Sequence, residues 1–109
     1  MQQKTPDYVV VFITANDSEE AEKIAMLLLK RRQAACVNVI PEVNSRFWWQ
    51  DKIESTGENM LVVKTKAALL PDIVKMVKKN HSNEVPEIIA IPIVGGNQEY
   101  LDWIDSEVK

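Results

Sequence analysis

The stretch SRFWWQDKIE, residues 45–54, decides the fold. Trp48 and Trp49 are adjacent, and on an extended strand adjacent side chains point to opposite faces. A small sheet with helices on one face buries one of the pair and leaves the other needing a second surface. Another copy of the same chain supplies that surface at least cost. The stretch predicts a strand and, with it, an assembly.

Upstream, the apolar run Tyr8 to Ala15, rich in β-branched and aromatic residues, predicts a buried strand. Asn16 or Asp17 offers an N-cap, and Ala21, Ile24, Ala25 and Leu28 follow at helical spacing, so residues 17–32 form an amphipathic helix. Ala34 to Ile40 is a second strand stopped by Pro41. Ser45 to Glu54 is a third and Asn59 to Lys66 a fourth, with Ser55-Thr56-Gly57 as the turn between them. Leu70, Ile73, Val74 and Val77 mark a second helix with Pro71 in its first turn. Ile88 to Val94 is the last strand, Gly95-Gly96 a turn, and Tyr100 to Glu107 a terminal helix. The order is the split β-α-β-β-α-β, ferredoxin-like plan of the α+β class, with a C-terminal helix added. Its helices cover one sheet face and leave the other open. Residues 8–109 make one domain behind a flexible N-terminus, 1–7.

Bulk composition narrows the function. At 109 residues with 46% apolar and 27% charged content, the chain is an ordinary globular domain. A net charge of −3 argues against a nucleic-acid partner recruited by bulk charge. The basic runs Lys30-Arg31-Arg32 and Lys78-Lys79 fall near helix C-termini and read as solvated faces. No stretch approaches the ~20 apolar residues that span a bilayer, so membrane insertion is not expected. With one cysteine and no signal-peptide pattern, the expected compartment is the cytoplasm.

Few residues offer chemistry. Cys36 lies mid-strand with nothing cationic beside it in sequence; packing is the plainer reading, a soft-metal ligand the sharper one. His81 is the one imidazole, either a helix C-cap or a metal ligand, with Asn80 or Glu84 or symmetry copies helping. Lys64 is either a snorkelling edge lysine or the cationic wall of an anion pocket, with Glu58 and Glu87 as counter-charges. Tyr100 and Trp103, three apart on the last helix, form a packing stripe first and a stacking platform second. No P-loop, dinucleotide fingerprint, HExxH or Ser-His-Asp pattern is present, so an enzyme is not expected.

Several of these runs carry a resemblance. AACVN (34–38), the spaced Ser45, Phe47, Trp49, Lys52 and Ile53, Val63-Lys64-Thr65, His81 with Glu84-Val85-Pro86-Glu87-Ile88, and Tyr100-Leu101 with Trp103 resemble the CutA family of divalent-ion tolerance proteins. The likeness runs from about Val9 to the C-terminus. It departs at Phe47, where the family usually has Tyr, and at Asp51, where it has Gly. It departs again at His81-Ser82-Asn83, where the family has His-Pro-Tyr, which removes a rigid aromatic loop beside the imidazole.

The resemblance implies a ferredoxin-like homotrimer with strands pairing between subunits, and a link to copper and other divalent metals. In animals it also implies anchoring or processing of a membrane-bound cholinesterase. The expected function is a trimeric divalent-metal (copper) binding protein serving metal tolerance, with His81 and Cys36 as ligands. No cofactor is obligatory; Cu(II) or another divalent metal is the expected ligand. Two alternatives stand beside it. One is a signalling trimer that holds a small anionic effector between subunits, in a pocket drawn from Trp49, Glu58, Lys64, Glu87, Tyr100 and Trp103. The other is a structural anchoring partner for another protein.

Overall fold

A computed structural model of the chain describes residues 7–109; of the expected flexible segment 1–7, all but Asp7 lies outside them. The elements are β1 (Tyr8–Ala15), α1 (Ser18–Lys30), β2 (Cys36–Trp49), β3 (Lys52–Lys66), α2 (Leu70–Asn80, entered through a short 3-10 turn), β4 (Ile88–Pro92) and α3 (Gln98–Glu107). The strands form one antiparallel sheet in the order β2-β3-β1-β4. This is the ferredoxin-like plan.

Alternation along the strands sorts the two faces. Val9, Val11 and Ile13 of β1 and Leu61, Val63 and Thr65 of β3 are buried, and all but Thr65 pack with Ile24 and Leu28 of α1 and Ile73 and Val77 of α2. The intervening residues, among them Val10, Phe12, Met60 and Val62, are only half-buried on the other face. That face also carries Ile40, Ile89 and Ile91, each about half exposed.

Asp17 caps α1: its carboxylate accepts from the Glu20 N–H at 2.8 Å. The helix ends in a Schellman arrangement, with the Gln33 N–H on the Leu28 carbonyl and the Arg32 N–H on that of Leu29. Arg32 holds the left-handed position there at φ 57°, a place where glycine is the usual choice. The same residue anchors the chain's end, because its guanidinium bonds Glu107 at 2.8 Å and its carbonyl accepts from the Lys109 N–H.

The centre of the chain corrects the sequence reading. The two strands expected at 34–40 and 45–54 are one strand up to Trp49, and the reversal falls at Gln50-Asp51 rather than at Ser55-Thr56-Gly57. Gln50 and Asp51 sit at φ 49° and 64°, the left-handed pair that a two-residue hairpin turn demands. Neither is glycine, so composition did not mark the turn. Gly57 instead pairs with Asn44 in mid-strand. Pro41 does not stop β2, because it lies in a bulge between Ile40 and Val43 where an N–H is not needed for the ladder.

The consequence is a ribbon. Strand β1 reaches only Asn59 on β3, so residues 43–49 and 52–58 pair with each other alone and run beyond the helices. Trp48 and Trp49 do point to opposite faces, but neither is buried: they are 72% and 42% exposed. The expectation that one would enter this chain's own core fails, because no helix extends over the ribbon.

Candidate functional site

Two places gather the residues that carry chemistry. The first lies where α3 crosses the face opposite α1 and α2. Cys36 and Lys64 are direct partners across β2 and β3, and Asn38 follows two residues on, on the same face. The Lys64 ammonium donates to the Asn38 side-chain carbonyl, which also lies 3.9 Å from the Cys36 sulfur. Strand pairing supplies the cation that the sequence around Cys36 lacks.

From α3, Tyr100 stands beside the Cys36 thiol; burial first, and then that thiol, push its hydroxyl above the ordinary value. The Tyr100 and Trp103 rings lie 5.4 Å apart at 44°, a tilted pair at i, i+3. Leu101 and Ile104, the buried stripe of α3, hold the helix down. Lys66 to Asp105 at 2.6 Å fixes its far side.

Of the pocket expected from the sequence, one chain therefore assembles Lys64, Tyr100 and Trp103 around Cys36. It does not bring in the others. Glu58 lies six residues along β3 from Lys64, about 20 Å at roughly 3.3 Å per residue, and Trp49 lies further out on the ribbon. Glu87 precedes β4, on the opposite edge of the sheet. Asn38 was missed, although its i, i+2 relation to Cys36 is the signal that would have found it.

The second place surrounds His81, whose side chain is fully withdrawn from solvent. Its Nε2 lies 2.6 Å from the Thr14 carbonyl, which can only accept, so that nitrogen carries the proton. Its Nδ1 accepts the Asn83 N–H at 2.9 Å. Both nitrogens of a neutral imidazole are thus engaged, and ligation would require breaking one of these bonds. The structure gives His81 a joining role between β1 and the 82–87 loop, which the ligand reading did not foresee.

Around it, the Asn16 amide donates to Ser82 Oγ at 2.6 Å and to Asn83 Oδ1 at 2.7 Å. Glu20 accepts from the backbone N–H groups of Asn16 and Ser82. Burial alone would push the Glu20 carboxyl up, but bonds from the Ser82 hydroxyl and these two N–H groups outweigh it and hold the carboxyl below its ordinary range. Ser82 and Asn83 are the residues at which the sequence reading expected no rigid, aromatic loop. Here their polar side chains form the closure.

Within one chain these two places lie apart. Cys36 is level with Val10 of β1, and His81 grips β1 at Thr14, four residues or about 13 Å away along the strand. Among the described residues no three His, Cys, Asp or Glu side chains cluster as a cation cage. No helix among those residues is long and apolar enough to cross a membrane.

The sequence and structure were compared with known proteins. Residues 9–107 match the family described as CutA1 divalent ion tolerance protein. Protein CutA 1, chloroplastic, from Oryza sativa is 38% identical over 93% of this chain, and the match spans only 57% of that protein's length. A solved structure from Thermus thermophilus, a divalent cation tolerance protein, superposes with a TM-score of 0.92 at 41% identity, covering 94% of this chain and 99% of that one. A structure described as the periplasmic divalent cation tolerance protein CutA from Archaeoglobus fulgidus gives 0.91 at 45%, with coverage of 94% and 99%. With motif, sheet order and family match in agreement from β1 through α3, the chain belongs to the CutA1 divalent ion tolerance protein family.

Proposed function

We propose that this chain works as a non-enzymatic homotrimer in the cytoplasm that binds divalent cations, copper foremost, and contributes to metal-ion tolerance. Membership of the family supports the cation part. The observation that carries the assembly is the ribbon 43–58. A two-stranded ribbon is marginal in water on its own, yet this one bears Phe47, Trp48, Trp49 and Ile53, between 41% and 72% exposed. Burying one such aromatic against a partner contributes about 2–3 kcal/mol, so three ribbons docked on neighbouring subunits gain far more than one left in solvent.

A cation then finds its donors across subunits, since the described residues of one chain offer no cage. Cys36 is the candidate ligand of this chain, because His81 already spends both nitrogens. Light scattering on a gel-filtration column should report three times the 12.4 kDa chain mass, and calorimetric titration with Cu(II) should show saturable binding of about micromolar strength. A monomer peak refutes the assembly, and a flat titration refutes the cation reading.

A second reading has its own support: a small anionic effector held beside Lys64, whose ammonium stands with the Tyr100–Trp103 pair. Carboxylates or nucleotides that raise the melting temperature of wild type but not of Lys64→Met would favour it.

A further inference from the structure

The helical side of the molecule carries a cleft that neither reading uses. It measures about 360 Å³ and lies between the end of α1 and one stripe of α2. Arg31 and Gln33 line it from the α1 side; Asp72, Lys75, Met76 and Lys79 line it from α2, at the i, i+3, i+4, i+7 spacing of a single helix face. Met76, only 4% exposed, belongs to the core and forms part of the floor.

Two independent features make this more than a solvated helix surface. First, among the described residues none of Arg31, Lys75 and Lys79 has a carboxylate within 4 Å, although Asp72 stands in the same lining. Three cations and one carboxylate give this cleft a local charge of +2 on a chain of net −3. The C-terminal ends of α1 and α2 each add roughly half a negative charge, which leaves the cleft about one unit positive.

Second, Gln33 is 6% exposed, and its side-chain oxygen has no hydrogen-bond partner among the described residues. Its backbone is fully used, with the N–H on the Leu28 carbonyl and the carbonyl accepting from the Thr65 hydroxyl at 2.5 Å. The amide oxygen is the one buried side-chain polar atom without a hydrogen bond among the described residues. A buried acceptor left unpaired costs about 1–3 kcal/mol. Gln33 lines the cleft, so turning its amide about the terminal side-chain bond toward a ligand there recovers that cost.

From this set we infer a binding site for a small phosphomonoester whose organic part carries hydroxyl or amino groups. The three cations suit a phosphate that is largely dianionic at neutral pH. Asp72 would repel bare phosphate, but accepts a hydroxyl or amine from the ligand body, and the Gln33 amide serves either as donor to phosphate or as acceptor. The volume sits at the lower end of small-molecule sites, about 300–1,000 Å³, larger than an isolated phosphate needs. Sugar phosphates and nucleoside monophosphates share this chemistry.

The test is a heteronuclear NMR titration of the full chain at low salt with glucose 6-phosphate, AMP and inorganic phosphate. The two esters, or one of them, should shift the amides of residues 31–33 and 72–80 saturably, and inorganic phosphate about tenfold more weakly. Lys75→Glu and, separately, Lys79→Gln should each weaken ester binding about tenfold. Gln33→Leu should weaken it while leaving the melting temperature equal or higher, because it removes an unpaired buried amide oxygen. Absence of saturable shifts at about 10 mM of every ester overturns the site. So does binding that Lys75→Glu and Lys79→Gln leave unchanged, or inorganic phosphate binding as tightly as the esters. None of these outcomes depends on whether the protein binds copper.

Discussion

Replacing His81 separates a structural imidazole from a metal ligand. In His81→Ala the Thr14 carbonyl, on a residue only 5% exposed, loses the proton that Nε2 donates across 2.6 Å. A buried acceptor left unpaired costs about 1–3 kcal/mol. The Asn83 N–H is exposed and rehydrates, so its share is small. Deleting a ring that is fully withdrawn from solvent leaves a void worth about 1 kcal/mol more. The sum is about 2–4 kcal/mol per chain, a fall in melting temperature of roughly 10 °C for a domain of this size.

Two partial mimics sharpen the test. Glutamine can still present an N–H toward Thr14, whereas asparagine can present only an oxygen toward Asn83, so stability should fall in the order His, Gln, Asn, Ala. Guanidinium unfolding at a fixed protomer concentration reads the order, since assembly makes apparent stability concentration-dependent. Cu(II) affinity, measured by calorimetry on the folded variants, should change by less than about twofold. An alanine variant as stable as wild type that has lost its copper binding would refute the reasoning and return His81 to the role of ligand.

Asp51→Gly should stabilise the protein by about 0.5–1 kcal/mol, because Asp51 is held at φ 64° in the hairpin turn; a lower denaturation midpoint would contradict the turn assignment. Glu20, held below the ordinary carboxylate range, contributes stability that is fully present above about pH 4.3 and is lost as pH falls through its lowered value. The Glu20→Gln variant should therefore show a flatter loss of stability in acid than wild type, measured by unfolding at stepped pH; identical acid profiles would remove Glu20 from the loop closure.

Much of this protein was legible in its chain. The apolar run 8–15, the helical stripes at Ala21–Leu28 and Ile73–Val77, and Pro71 placed the elements, since each signal is local and periodic. Element order then fixed the ferredoxin-like plan, and the motifs around Cys36, Trp49, His81 and Tyr100 identified the family. Long-range pairing lay beyond such signals. That Lys64 stands opposite Cys36 depends on the register of β2 on β3, which local composition does not encode. The turn at Gln50-Asp51 escaped because its left-handed residues are not glycines and the strand pairing around them imposes the conformation. The fate of His81 depended on a carbonyl 67 residues away in sequence. The sequence by itself determined which segments are strands and helices and which family they compose. Only the tertiary structure decided which side chains meet, because hydrogen bonds and ion pairs between distant segments exist only once the sheet register has brought them within about 3 Å.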